Sequence, residues 1–395
     1  MDFDNKKTVL VLGAGRGQTG LIRTAKKRGL RVEVATIEGD YPGLPLADEI
    51  NIVDIKDKDA VAELARMIGA DAVISAGTDL ALPAMGLACE RNKLPGPTLA
   101  AALISSDKAL MKEAFEKGGV RTARHVVVRN EDEAEKAADK LRLPLIVKAI
   151  DLQGSIGINV VFEREFLRDA FRKTMRETKQ DHCIVEEYLD GYEVSATAMI
   201  SDGEVLFVLP TGDVRYGENG ECPIGHYIPL DCGEGVLGQV KEQVKLGIRA
   251  IGLDNCAVNA DLMIMDGKAY VIELTGRLGG NSIPEITSEY FQMNIYDLIL
   301  DVALGDYEAA GAYDFSDRDK RVSYGQMIIS DKDGVLGSTN IAANDCTVSF
   351  FIKEGDKINK YKGPNDCVGQ IVAVKESKEE CEAAIRNVVG EIEIL

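Results

Sequence analysis

Residues 8–13, Thr-Val-Leu-Val-Leu-Gly, form an unbroken apolar run that ends in glycine. That is the pattern of a parallel strand buried on both faces. A glycine-rich turn follows, and a helical pattern then runs through Leu21–Arg28 and closes at Gly29. Strands are expected at Arg31–Ile37, Ile50–Ile55 and Ala72–Ala76, with helices at Ala60–Ile68 and Leu80–Asn92. Strands alternating with helices predict an open, doubly wound α/β sheet. The segment Leu94-Pro95-Gly96-Pro97 punctuates its end.

The pattern then changes. A helix is expected around Lys108–Lys117, a strand at His125–Val128, a charged helix at Glu131–Leu141 and a strand at Leu145–Ala149. A glycine loop occupies 151–157, followed by a strand Ile158–Phe162, a helix Glu165–Glu177 and a strand Cys183–Glu187. Strands dominate from about residue 190: Glu193–Ile200, Glu204–Pro210, Ala257–Met265 and Ala269–Leu274, interrupted by a helix at Val236–Ile251. The stretch 321–395 reads as several strands and a closing helix, Lys378–Val389. The chain thus divides into an α/β domain at 1–104 and two α+β subdomains at 105–190 and 191–395, the last carrying a strand-rich final lobe.

A length of 395 residues and an apolar fraction of 45% support a sizeable core without disulfide staples. The formal net charge of −19 repels polyphosphate backbones, which argues against nucleic-acid partners. No run of about 18 apolar residues occurs, so no membrane partner is expected. Met1–Lys7 leads straight into the first strand and leaves no room for a signal segment; the expected compartment is the cytoplasm. Eight cysteines form no CxxC pair and read as reduced core residues.

Four segments carry candidate chemistry, and each has a plainer reading. Gly13-Ala14-Gly15-Arg16-Gly17-Gln18-Thr19-Gly20, with Glu38 downstream, could hold a dinucleotide at a helix N-terminus; the alternative is a turn that packs the sheet or meets a substrate carboxylate. Lys148 ends an apolar strand and needs a polar partner, and the loop Gly154-Ser155-Ile156-Gly157 after it could cradle phosphate oxygens; the alternative is a hairpin-like loop. Glu186-Glu187-Tyr188-Leu189 followed by Glu193 could read a nucleoside, or form a turn with solvated acids. Most informative is Asn259–Glu273, a hairpin turning at Asp266-Gly267. Asp261 and Glu273 face each other on its two strands, where like charges repel unless a cation bridges them. Oxygen ligands of this kind suit Mg²⁺. Arg277 follows in a glycine-rich loop, where it could stabilise a transferring phosphoryl group; the alternative is a structural hairpin with exposed acids.

In this order the four segments resemble the ATP-grasp superfamily of carboxylate–amine ligases, over most of the chain. The resemblance implies an open α/β N-terminal domain followed by two α+β subdomains that sandwich the nucleotide. Ser106–Lys112 resembles the start of the central domain, with Lys108 and Lys148 as lysines on ATP phosphates. Gly154, Ser155 and Gly157 resemble the loop that closes over them. Glu186, Glu187, Tyr188 and Leu189 resemble the adenine hinge, and Glu193 the ribose acid. Asp261 and Glu273 match the two metal acids for Mg²⁺ (or Mn²⁺), and Thr275 stands where relatives carry a third ligand, usually Asn. Arg277 and Lys148 match the catalytic pair, Ala149 replaces a common proline, and His226–Pro229 resembles a segment near the active site. The implied activity activates a small-molecule carboxylate as an acyl phosphate with ATP and joins it to an amine. Relatives of the biotin-carboxylase type activate bicarbonate instead; a nicotinamide-dependent oxidoreductase and a non-catalytic nucleotide-binding regulator are the readings from other classes. The resemblance also implies a homodimer, with no interface located by the sequence.

Overall fold

The computed structural model describes residues 6–152, 156–217, 222–316, 321–339 and 346–395. At the N-terminus β1 (Thr8–Leu12), β2 (Arg31–Thr36), β3 (Glu49–Ile52) and β4 (Ala72–Ile74) form a parallel sheet in the order β3–β2–β1–β4. β1 is buried on both faces: Val9 and Val11 enter one apolar core, Leu10 and Leu12 another. This explains its unbroken hydrophobic run.

The second sheet is antiparallel, in the order β5–β8–β6–β7, from β5 (His125–Val128), β6 (Leu145–Ala149), β7 (Ile158–Val161) and β8 (Cys183–Glu187). Alternation sends Leu145, Val147, Cys183 and Val185 into a core beneath the helices 131–137 and 167–177. Ile146, Lys148 and Glu186 consequently lie on the opposite face, because Ile146 pairs with Glu186 in register.

The third sheet has eight strands in the order β13–β12–β9–β10–β11–β14–β18–β16. Its members are β9 (Tyr192–Ser201), β10 (Glu204–Tyr216), β11 (Cys222–Ile228), β12 (Cys256–Met265), β13 (Lys268–Thr275), β14 (Val322–Ile328), β16 (Cys346–Phe350) and β18 (Gly369–Lys375). A two-stranded ribbon of β15 (Gly334–Val335) and β17 (Lys357–Ile358) stands apart. On one face Val194, Ala196, Val258, Ala260 and Leu262 pack beneath the helix Glu234–Ile251, together with Met111 and Phe115 of the helix Lys108–Gly118. On the other face Met199, Phe207, Leu209 and Ala257 share a core with the N-terminal sheet and the helix Ile295–Ala303.

Some elements differ from the expected pattern. The helices Leu99–Ser106, Ile283–Phe291 and Ile295–Ala303, and the strand β11, have no counterpart in the sequence reading. In Ile295–Ala303 all nine residues except Asp297 are buried, and nine residues are too short a run for the period of Asp297 and Asp301 to mark a helix. The expected helix Glu131–Leu141 ends at Ala137.

Candidate functional site

Between the second and third sheets lies a cleft of about 740 Å³. Ile146 of β6, Ile158 of β7, Leu189, Val194, Leu230, Met263 and Ile272 supply its apolar walls. Its polar lining is Lys112, Lys148, Glu186, Glu187, Glu193, Asp213, Arg215 and Asp231. An apolar slot with a few placed charges fits a ligand with one flat apolar end and one anionic end.

Three charges are buried at the inner wall. Lys148 Nζ donates to Glu186 Oε2 at 3.0 Å, and Lys112 Nζ lies 3.4 Å from Glu186 Oε1. Lys112 also donates to Thr122 Oγ1 at 2.6 Å, whose hydroxyl donates to the Val271 carbonyl. Burial opposes charge on Glu186, but Lys112 and Lys148 outweigh it and hold the carboxyl at about 2. Burial dominates at Lys112 and, with the push of Lys148, lowers its ammonium to about 8 against the pull of Glu186. Sequence reasoning assigned no role to Lys112, although it lies one turn beyond Lys108 on the same helix and hence on the same face.

Lys108 serves another place. Its ammonium donates to the Leu152 carbonyl at 2.8 Å and lies 3.3 Å from Glu273 Oε1. It thus ties the start of the glycine loop to the acids of the hairpin. Gly154 and Ser155 lie outside the described residues; Gly157 closes the loop, with φ of +71° and its carbonyl accepting from Ala149 N at 3.0 Å. At the rim, Glu187 is held by Arg124 at 3.0 Å and by Arg142 at 3.6 Å, and Tyr188 N donates to the Pro144 carbonyl at 2.9 Å. Leu189 joins the cavity wall. Glu193 is ion-paired with Arg215, which also lies 3.5 Å from Asp213. Sequence reasoning passed over Asp213 and Arg215, which stand two apart at the end of β10 and so share a face.

Asp261 and Glu273 pair directly across β12 and β13. The next pair is Leu262 with Val271, so Ile272 is a bulged residue; Ile272 lines the cleft, and Glu273 beside it faces Lys108. Burial first, and then Glu273, Glu193 and Asp213, push the Asp261 carboxyl up to about 8, with Arg277 pulling the other way. Its Oδ1 accepts from Ser195 Oγ and Asn259 Nδ2, each at 3.3 Å. Ser195 Oγ also lies 3.2 Å from Asp213 Oδ1, so its single proton is shared between the two acids, and His226 Nδ1 lies 3.1 Å from the same Asp213 oxygen. His226 therefore reaches the cleft through Asp213. Thr275 pairs with Asn259 across the ladder, and the buried Thr275 Oγ1 and Asn259 Oδ1 have no hydrogen-bond partner. The amide expected at position 275 stands opposite it.

Arg277 donates through Nε and Nη2 to Asp79, in the loop after β4, with Nη2 to Oδ2 at 2.9 Å. Burial works against its charge, but Asp79, Asp261 and Glu273 outweigh it and hold its pKa above the ordinary value. The glycine turn at 13–20 is closed by its own Gln18, whose Oε1 accepts from Gly15 N at 2.9 Å while its Nε2 donates to the Ala76 carbonyl. Gln18 thereby ties the turn to the chain just after β4, and Glu38 is exposed.

Among the described residues no group of three or more His, Cys, Asp or Glu side chains forms a metal cage. The residues that are present do fit a divalent cation completed by ligand phosphates: two facing carboxylates, one pushed up by burial and by the other, and a buried unpartnered hydroxyl two residues on. No described helix is long and apolar enough to cross a membrane.

A family model described as "Phosphoribosylglycinamide synthetase, ATP-grasp (A) domain" matches residues 106–282. Alanine–anticapsin ligase of Bacillus subtilis is 29% identical over 266 residues, which is 61% of this chain and 56% of that ligase. The chain thus spans a little over half the length of that curated relative. Phosphoribosylglycinamide synthetase from Anaerococcus prevotii is similar in structure with a TM-score of 0.85 and 37% identity, covering 99% of this chain and 100% of that one. L-amino acid ligase from Bacillus licheniformis shares the fold at a TM-score of 0.80 and 22% identity, over 99% of each chain. An end-to-end relative at 37% identity, together with a cleft between two antiparallel sheets and an acid-bearing hairpin at its edge, leads to one assignment: the chain belongs to the ATP-grasp superfamily.

Proposed function

We propose that the protein is an ATP-dependent ligase that activates a small carboxylate as an acyl phosphate and joins it to an amine, releasing ADP and phosphate. The observation that carries this reading is the facing pair Asp261–Glu273, with Lys108 3.3 Å from Glu273, at the edge of a cleft whose inner wall holds Lys112, Lys148 and Glu186. In this reading the adenine lies between Ile146, Ile158 and Met263, and Glu187, Tyr188 and Leu189 line its hinge. Glu193 takes the ribose, releasing Arg215 towards the phosphates. Lys108 and Lys148 position the phosphates as point charges. Asp261, Glu273 and Thr275 would hold Mg²⁺ or Mn²⁺, which supplies charge neutralisation on the phosphates when bound.

The substrate carboxylate attacks the γ-phosphorus, the bond to the β-phosphate oxygen breaks, and ADP leaves. Arg277 stabilises charge on the phosphoryl oxygens in flight. The loop 151–157, with Gly154 and Ser155, excludes water, because hydrolysis of the acyl phosphate competes with attack by the amine. The amine nitrogen then bonds to the acyl carbon, phosphate departs with the carboxylate oxygen, and the nitrogen loses a proton. The names of the relatives above, an amino-acid ligase among them, favour an amino acid as one substrate.

The test is a screen of ADP release against pools of amino acids and small carboxylates with Mg²⁺ present. ADP release that requires one carboxylate and one amine is the expected result. No ADP with any mixture, from protein that binds ATP, would replace the ligase with a nucleotide-binding regulator.

A further inference from the structure

Arg277 is held by a side chain from a distant part of the sequence. Asp79 occupies the side edge of the guanidinium, Nε and Nη2, and Nη1 leans on the Leu278 carbonyl at 3.4 Å. The guanidinium is a rigid planar fork, so fixing its side edge also fixes the direction of its end edge, Nη1 with Nη2. Asp79 can reach it because the loop after β4 is strapped to the loop after β13. Ala76 and Leu278 form a parallel bridge, and Gly77 N donates to the Leu278 carbonyl at 3.1 Å. Gly77 has φ of +64°, and a methyl group on Gly17 would come within 3.2 Å of its Cα, so this approach requires glycine. Asp79 is 8% exposed.

A buried ion pair contributes little net stability relative to apolar packing, which leaves geometry as what this one provides. Arg277 follows Glu273 by four residues in the chain, and Asp261 and Glu273 both attract its charge. An arginine released from Asp79 would fall onto those acids and compete with a cation for them.

We propose that Asp79 is a positioning residue for the ligase reaction: it aims the end edge of Arg277 at the transferring phosphoryl oxygens and keeps the guanidinium off Asp261 and Glu273. The proposal rests on the ligase reading above. It makes the N-terminal domain a contributor to catalysis through a single carboxylate.

The test compares the wild type with Asp79→Ala, Asp79→Asn, Asp79→Glu, Arg277→Ala and the double variant D79A/R277A. Two readouts are used: steady-state ADP release, and Mn²⁺ binding followed by electron paramagnetic resonance without turnover. Asp79→Ala is expected to lower kcat about 100-fold, the scale of a displaced catalytic group, while KM for ATP stays within about twofold. Its Mn²⁺ affinity is expected to fall about 10-fold, as for loss of an orienting partner. The double variant recovers the Mn²⁺ affinity and loses no more kcat than R277A alone, and Asp79→Glu restores part of kcat. If Asp79→Ala does not fold, Asp79→Asn, which keeps the shape, carries the same comparison. A kcat within about threefold of wild type, or Mn²⁺ binding that Asp79→Ala weakens and the double variant does not recover, would overturn the proposal. A wild type that releases no ADP would refute the ligase reading, and the Mn²⁺ comparison would still decide the role of Asp79.

Discussion

Replacing Glu186 by glutamine leaves the buried ammonium groups of Lys112 and Lys148 facing each other without an anion. Lys112 is 2% exposed and Lys148 8% exposed, so water replaces little of what is lost. The carboxyl of Glu186 sits at about 2 against 4.5 for the isolated group, which corresponds to about 3 kcal/mol of favourable interaction at ~1.4 kcal/mol per unit. Removing one partner of a buried pair costs about 3–5 kcal/mol in measured cases. Glu186→Gln is therefore expected to destabilise the protein by about 3–5 kcal/mol near neutral pH. The pH dependence has a definite sign. The Lys112 ammonium is lowered to about 8 in the folded wild type, and without Glu186 it falls further. A lysine lowered in the folded state binds more protons when unfolded, so stability rises with pH above the folded value. In the variant that rise begins at lower pH, so the deficit narrows as pH approaches about 8. The wild type in turn loses the Glu186 contribution as pH falls from 4.5 towards 2, a loss the variant lacks. The chain has no tryptophan, so urea denaturation is followed by circular dichroism across this range. Equal stability of variant and wild type at neutral pH, or a deficit that does not narrow with rising pH, would refute the reasoning.

Asp261→Asn removes the burial cost and the repulsion by Glu273, Glu193 and Asp213 that together push this carboxyl up to about 8; its thermal midpoint without metal should rise, while the stabilisation added by Mg²⁺ with ATP disappears. Alanine at Glu273 or Lys148 should abolish amine-dependent ADP release and leave the far-ultraviolet circular dichroism spectrum unchanged. Gly20→Ala would place a methyl group 2.5 Å from the Tyr296 ring, and a loss of about 1–3 kcal/mol in urea denaturation is expected from such overpacking. NADH fluorescence should not change on titration with the protein, because Gln18 already occupies Gly15 N in the turn at 13–20.

The residues of the cleft were legible where strand alternation carries the information. The turn at Asp266-Gly267 puts both acids on adjoining strands, but its register alone would set Asp261 opposite Ile272; the bulge at Ile272, which the sequence does not announce, brings Glu273 opposite Asp261. The partner of Lys148 could not be read, because Glu186 lies 38 positions on and meets it only through the pairing of β6 with β8. Lys112 announced itself only by helical spacing from Lys108, a signal that most exposed lysine pairs share. Asp79 was not legible as the partner of Arg277, since the two come together 198 positions apart. The helix Ile295–Ala303 escaped because it is short: Asp297 and Asp301 mark one polar face, but nine mostly buried residues give the period too little length to declare itself.

The central claim is that a divalent cation between Asp261 and Glu273 grips a triphosphate in the cleft. Its most direct test is a crystal grown with Mn²⁺ and a non-hydrolysable ATP analogue, read in the anomalous signal of the metal. A manganese peak within coordination distance of both carboxylates and of the analogue's phosphate oxygens is the predicted result. Nucleotide bound in the cleft with both acids turned away from it and from the metal would contradict the account.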